Sequence, residues 1–168
     1  MPRILTLRVM GGSLKSILLW LFVINLGVAL GAGLYEAQVV IPHWADLPPK
    51  DWPNTGLSFW LYVTTVPLTL LAFANLIAAW LDRSVRRKWW LSAVFIVLVE
   101  RLTTFSYFIP AMINLTRSDL PGRGHIKIIA MAFFQSGHHL LTLPGWLMAL
   151  KTLSLSASGE VNNRKSTS

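Results

Sequence analysis

The chain has 168 residues, of which 54% are hydrophobic and only 13% charged, and its net charge is +8. A soluble globular domain usually carries about 25% charged residues, so this balance excludes an ordinary water-soluble fold. The basic residues flank apolar blocks instead of forming one stripe, which argues against a nucleic-acid partner. With no cysteine in the chain, disulfides, thiolate metal sites and CxxC redox chemistry are excluded as well.

Four apolar blocks follow in chain order, each long enough to cross a bilayer core of about 30 Å. The first runs from about Ser16 to Ile41, and Pro42 is predicted to end it, because proline cannot donate the next helical hydrogen bond. Basic residues, an apolar run and then Gly-Ala-Gly resemble a signal peptide at this end. The run continues through Val40, however, a length that predicts an uncleaved span. A Pro- and Trp-rich stretch, IPHWADLPPKDWPNTG, reads as an interfacial loop. The remaining blocks extend from Leu57 to Leu81, from Trp89 to Leu115 and from Ile126 to Leu150. Pro67, Pro110 and Pro144 fall inside or near the ends of these blocks, where a buried helix tolerates a kink. The expected fold is all-α: an integral membrane four-helix bundle, antiparallel between neighbours and polar inside. It occupies residues 1–155, and a polar, disordered tail covers 156–168.

Lysine and arginine set the expected orientation. Ten of them lie in the N-terminal segment, the second connection and the tail, against four in the first and third connections. Both termini are therefore predicted to be cytoplasmic, in a cytoplasmic (inner) membrane. Trp44, Trp52 and Trp60 are predicted at the outer boundary and Trp20, Trp80, Trp89, Trp90 and Trp146 at the inner one. All read as headgroup anchors, since indole favours that level.

An ionisable side chain in lipid costs several kcal/mol, about 2.5–3.5 on insertion scales, unless it is paired or faces a cavity. Glu36, Glu100, Arg101, His138 and His139 are the intramembrane members of that class. Helical spacing sorts their faces. Asn25, Ala29, Ala32, Gly33 and Glu36 share one stripe of the first helix, beside the pair Gly27 and Gly31. Ser58, Tyr62, Thr65 and Thr69 make a hydroxyl stripe on the second. Glu100, Thr103, Thr104 and Tyr107 share a face of the third, and Gln135, His138, His139 and Thr142 cluster on the fourth. These stripes predict one cavity that opens outward, with Glu36 and Tyr107 near its mouth and Arg101, Glu100 and the histidines deeper. Glu36, Arg101, Tyr107, His138 and His139 are the candidate catalytic residues. Glu100, Thr104, Gln135, Thr65, Tyr62 and Trp44 are the candidate substrate contacts.

A b-type haem held within one chain needs axial histidines on facing helices, and here the intramembrane pair are neighbours on one helix. No ligand spacing for another metal, no phosphate loop and no nucleophile elbow is present.

The stretch GAGLYEAQVVIPHW, with TTFSYFIP at the end of the third helix and a close in WLMALKTLSL, resembles the small four-helix membrane proteins grouped with the anthrone oxygenases. The resemblance covers roughly Leu14 to Leu155, and Glu36, Pro42, Trp44, Tyr107 and Pro110 are the matching positions. It implies oxidation of a flat phenolic or polyketide-like substrate with no metal or flavin cofactor. Where many relatives carry Asn and Arg on the fourth helix, this chain has Gln135 and His138–His139.

Three functions follow as expectations. The first is an oxygenase-like enzyme, in which a histidine or Glu36 deprotonates a phenol and Arg101 holds the anion. The second is a non-catalytic binder or carrier of a lipid or quinone-like molecule. The third is an accessory subunit whose polar groups only hold helices together. The expected partners are the lipid bilayer and a hydrophobic small molecule; oligomerisation is left open.

Overall fold

The computed structural model describes residues 2–45, 57–116 and 141–157, and all of these are helical except the connection at 81–86. We name the helices α1 (residues 2–45), α2 (57–80), α3 (87–116) and α4 (141–157). Among the described residues, three stretches, Ser13–His43, Trp60–Trp80 and Arg87–Ala111, are long and apolar enough to cross a membrane. The described part of α4 begins at 141 and runs to 157, beyond the predicted end at Leu150.

Three elements depart from a plain α-helix. Glu36–Val40 in α1, Trp60–Thr65 in α2 and Thr104–Phe108 in α3 are π-helical. Each lies two residues before a proline: Pro42, Pro67 and Pro110. A proline ring clashes with the carbonyl four residues back and offers no N–H to it. Widening the preceding turn relieves that crowding. The residue just before each proline then donates to the carbonyl five back: Ile41 to Glu36, Val66 to Leu61 and Ile109 to Thr104. The expectation that Pro42 ends the first helix is thereby corrected, since α1 continues through it to Ala45.

The apolar core is built from Leu19, Phe22, Val23, Leu26 and Ala29 of α1, Leu68, Ala72, Ala78 and Ala79 of α2, Trp90, Ala93, Val94 and Val97 of α3, and Ala149 of α4. Small residues let the helices approach closely. A Cβ on Gly145 would meet Ile96 and Val97 at 3.4 Å, and one on Gly27 would meet Trp146 at 3.4 Å. Gly31 has no such neighbour within 4 Å, so only one member of the predicted glycine pair makes a close contact.

Hydrogen bonds fix which levels face each other. Asn75 Nδ2 donates to the Leu18 carbonyl at 3.1 Å, and Asn25 Nδ2 to the Val63 carbonyl at 3.0 Å. Trp90 Nε1 donates to Asn75 Oδ1 at 3.1 Å. Trp146 Nε1 donates to the Val23 carbonyl at 3.2 Å. Trp90 is fully buried, so it and Trp146 are hydrogen-bonded packing residues, in place of the headgroup anchors expected. Trp20, Trp80 and Trp89 stay exposed.

The connection between α2 and α3 is a polar clasp. Asp82 accepts from Arg86 Nε at 2.7 Å and from Ser84 Oγ at 2.9 Å, and Lys15 of α1 lies 3.9 Å away. Lys15 also donates to the Leu81 carbonyl at 3.2 Å. Arg86 reaches Ser156 of α4 as well. Burial alone would raise the Asp82 pKa, but hydrogen bonds from Arg86 and Ser84, with the charges of Arg86 and Lys15, hold it below the ordinary carboxylate value. Relative to this clasp, all three π-helical segments lie toward the far end of their helices.

Candidate functional site

The third helix positions the most polar buried group. Glu100 and Arg101 occupy the last α-helical turn of α3 before its π segment, and they are 1% and 7% exposed. Neighbouring side chains on a helix diverge by about 100°. The long arginine nevertheless folds back, and its Nη2 donates to Glu100 Oε1 at 2.8 Å. Thr142 Oγ1 of α4 donates to the same oxygen at 2.9 Å. A buried ion pair on adjacent residues is thus braced by a hydroxyl from another helix. Arg101 Nε is buried and has no hydrogen-bond partner among the described residues. It remains a donor of fixed direction beside an anionic group.

The other sequence candidates divide by burial. Glu36 opens the π segment of α1 and is buried, at 6% exposure. Thr65 is buried, and its carbonyl accepts from Thr69. Thr104 uses its hydroxyl on the Glu100 carbonyl at 3.0 Å, a bond back to the preceding turn that bends helices slightly. Tyr62 and Tyr107 are exposed, at 72% and 46%. Both lie inside π segments, where the wider turn shifts the angular register. Thr64 takes the buried place beside Thr65, with its hydroxyl on the Trp60 carbonyl at 2.8 Å. The structure thus joins Glu100, Arg101 and Thr142, buries Glu36 and Thr65, and leaves the two tyrosines on the surface. Gln135, His138 and His139 lie outside the described residues, as does the side chain of Trp44.

Sequence reading missed Asn75 and Asp82. Asn75 is fully buried and meets both the Leu18 carbonyl and the Trp90 indole. Its signal was present: Leu68, Ala72, Ala78 and Ala79 recur around it at helical spacing. An amide on that stripe must find partners inside. Among the described residues, no three histidine or carboxylate side chains gather as a set of metal ligands.

Comparison with protein-family models, curated proteins and solved structures finds no match.

Proposed function

We propose that this chain is an integral protein of the cytoplasmic membrane, an antiparallel four-helix bundle with both termini inside, that holds an oxygenase-like site for a flat phenolic molecule in its far half. The antiparallel reading rests on paired levels. Toward the clasp α1 meets α2 through Leu18 and Asn75, and farther along through Asn25 and Val63. Between α3 and α4, Arg86 just before α3 meets Ser156, and Glu100 meets Thr142. The basic residues of the clasp belong on the cytoplasmic face.

One observation carries the chemical reading: a buried guanidinium one turn before the π segment of α3, with one N–H not engaged among the described residues. In a dry site, such a donor lowers the energy of an anion that forms there. A phenol that releases its proton to Glu36, or to His138 or His139, becomes an electron-rich phenolate held by Arg101. Dioxygen is the co-substrate. A ring-flanked CH2 becomes a carbonyl with one oxygen atom, and the other leaves as water with the two hydrogens of that carbon. The resemblance to anthrone oxygenases leads to the same reaction class.

The test is oxygen uptake by the purified chain with anthrone-type phenols. Arg101→Gln is expected to reduce the rate per folded chain by about 100-fold, and its unfolding midpoint is measured beside the rate because the change also leaves Glu100 without its partner. His138→Ala and His139→Ala, tested for rate and for ligand retention, separate catalysis from carriage. If no phenolic compound raises oxygen uptake above the protein-free rate, the oxygenase reading is wrong.

A second reading has its own support. Arg101 and Thr142 converge on one Glu100 oxygen and link α3 to α4, which is what a purely structural polar group would do. Under that reading Arg101→Gln unfolds the chain and no ligand binds.

A further inference from the structure

The two adjacent arginines at the start of α3 divide their work. Arg86 turns inward to Asp82, Ser156 and the Trp90 ring, whose centroid lies 5.3 Å from its guanidinium carbon. Arg87 stacks over the Trp80 ring at 5.5 Å. Its Nε is buried and has no hydrogen-bond partner among the described residues. The carboxylate of this connection, Asp82, is already taken by Arg86 and Lys15. Arg83 and Lys88, both exposed, flank Arg87. Among the described residues, no carboxylate forms an ion pair with any of these three cations. Trp80, the indole under Arg87, is 66% exposed, and Trp89, next in the chain to Lys88, is 42% exposed.

We infer that Arg87, Trp80, Arg83 and Lys88 form a binding site for the phosphate of an anionic phospholipid. This rests on the membrane reading above. A guanidinium presents a planar fork that matches two phosphate oxygens, and stacking on an indole holds that plane in place. Exposed tryptophan favours the headgroup level. A phosphodiester at that level meets the three unpaired cations, and its acyl chains lie along the exposed apolar residues Ile77 and Phe73 of α2. Anionic headgroups contribute about 1 kcal/mol per nearby Lys or Arg. A zwitterionic phosphatidylcholine carries its own cation and loses most of that advantage.

The experiment uses the full chain purified in mild detergent, titrated with phosphatidylglycerol or phosphatidylcholine, with retained lipid counted by native mass spectrometry. Phosphatidylglycerol is expected to bind in preference to phosphatidylcholine. Arg87→Gln is expected to weaken phosphatidylglycerol binding about tenfold, the loss of one stacked, charge-assisted contact. Arg87→Lys, which keeps the charge and lacks the fork, recovers only part of it. Lys151→Gln removes an exposed cation elsewhere on α4 and is expected to leave binding unchanged. Equal binding by wild type and Arg87→Gln overturns the site, as does an equal loss in Lys151→Gln. Displacement of the lipid by inorganic phosphate reassigns the patch to a free anion and also overturns it. Alkaline carbonate washing of membranes separates the two readings. A chain released by the wash removes the membrane reading; a retained chain with an unaffected Arg87→Gln removes the lipid site alone.

Discussion

Glu100 and Arg101 were legible because charge inside an apolar run demands a partner, and Glu36 and Glu100 are the carboxylates within the apolar blocks. The structure selects Glu100 and adds Thr142. The choice depends on how an arginine side chain folds back along its own helix, which residue spacing does not encode. Removing one member leaves the other buried and uncompensated. Glu100→Ala is therefore expected to cost about 3–5 kcal/mol, and the double change Glu100→Leu with Arg101→Met much less. Thr142→Val, which strips one neutral donor from a charged acceptor, is expected to cost about 1.5–3 kcal/mol. Thermal unfolding in detergent orders the three; a double variant less stable than Glu100→Ala would contradict the account.

Across an element, the 3.6-residue count holds where the helix is plain and fails at the π segments. The first-helix stripe ends at Glu36, before that turn has accumulated any offset, and Glu36 is buried as expected. The stripe through Tyr62, Thr65 and Thr69 and the face through Glu100 and Tyr107 both cross a π segment, and both lose their tyrosine to the surface. The prolines were visible in the sequence as kinks, but not the turn that precedes each. Pro67 withholds an N–H from the Val63 carbonyl, and the Asn25 amide supplies one instead. Pro67→Ala restores a main-chain donor to that carbonyl. Asn25→Ala should then cost less in the Pro67→Ala background than in the wild type, with a coupling of about 0.5–1.5 kcal/mol. A double-mutant cycle on unfolding free energy measures it, and strictly additive effects would refute the substitution of one donor for the other.

For the molecule as a whole, four apolar blocks long enough to span were plain from composition, and among the described residues three helices have that length and character. Which residues clasp them together was not, because Lys15 and Ser156 are distant in the chain from Asp82 and Arg86, and all four look like ordinary flanking polarity. The folded Asp82 pKa lies below its unfolded value of about 3.9. Its stabilising contribution is thus complete well above that value and is lost as pH falls through the lowered, folded one. Acid unfolding of Asp82→Asn is expected to show a shallower dependence on pH than the wild type below about pH 4. Identical acid limbs would mean that Asp82 does not couple to folding. The orientation has a separate check, with reporter domains fused after Ser168 and near Asn54. The first is expected on the cytoplasmic side and the second across the membrane; a cytoplasmic signal at Asn54 would reverse the topology.

The adjacency of Glu100 and Arg101 also bears on the order in which the protein is assembled. An ion pair shared between two helices exists only after both have arrived, so each charge must first enter the bilayer bare. Here both charges travel on one segment, neighbours in the chain, and they neutralise each other as soon as the helical turn forms. The third span is thereby equipped to leave the insertion machinery without waiting for a later partner. Thr142 adds its hydroxyl only when α4 docks against α3.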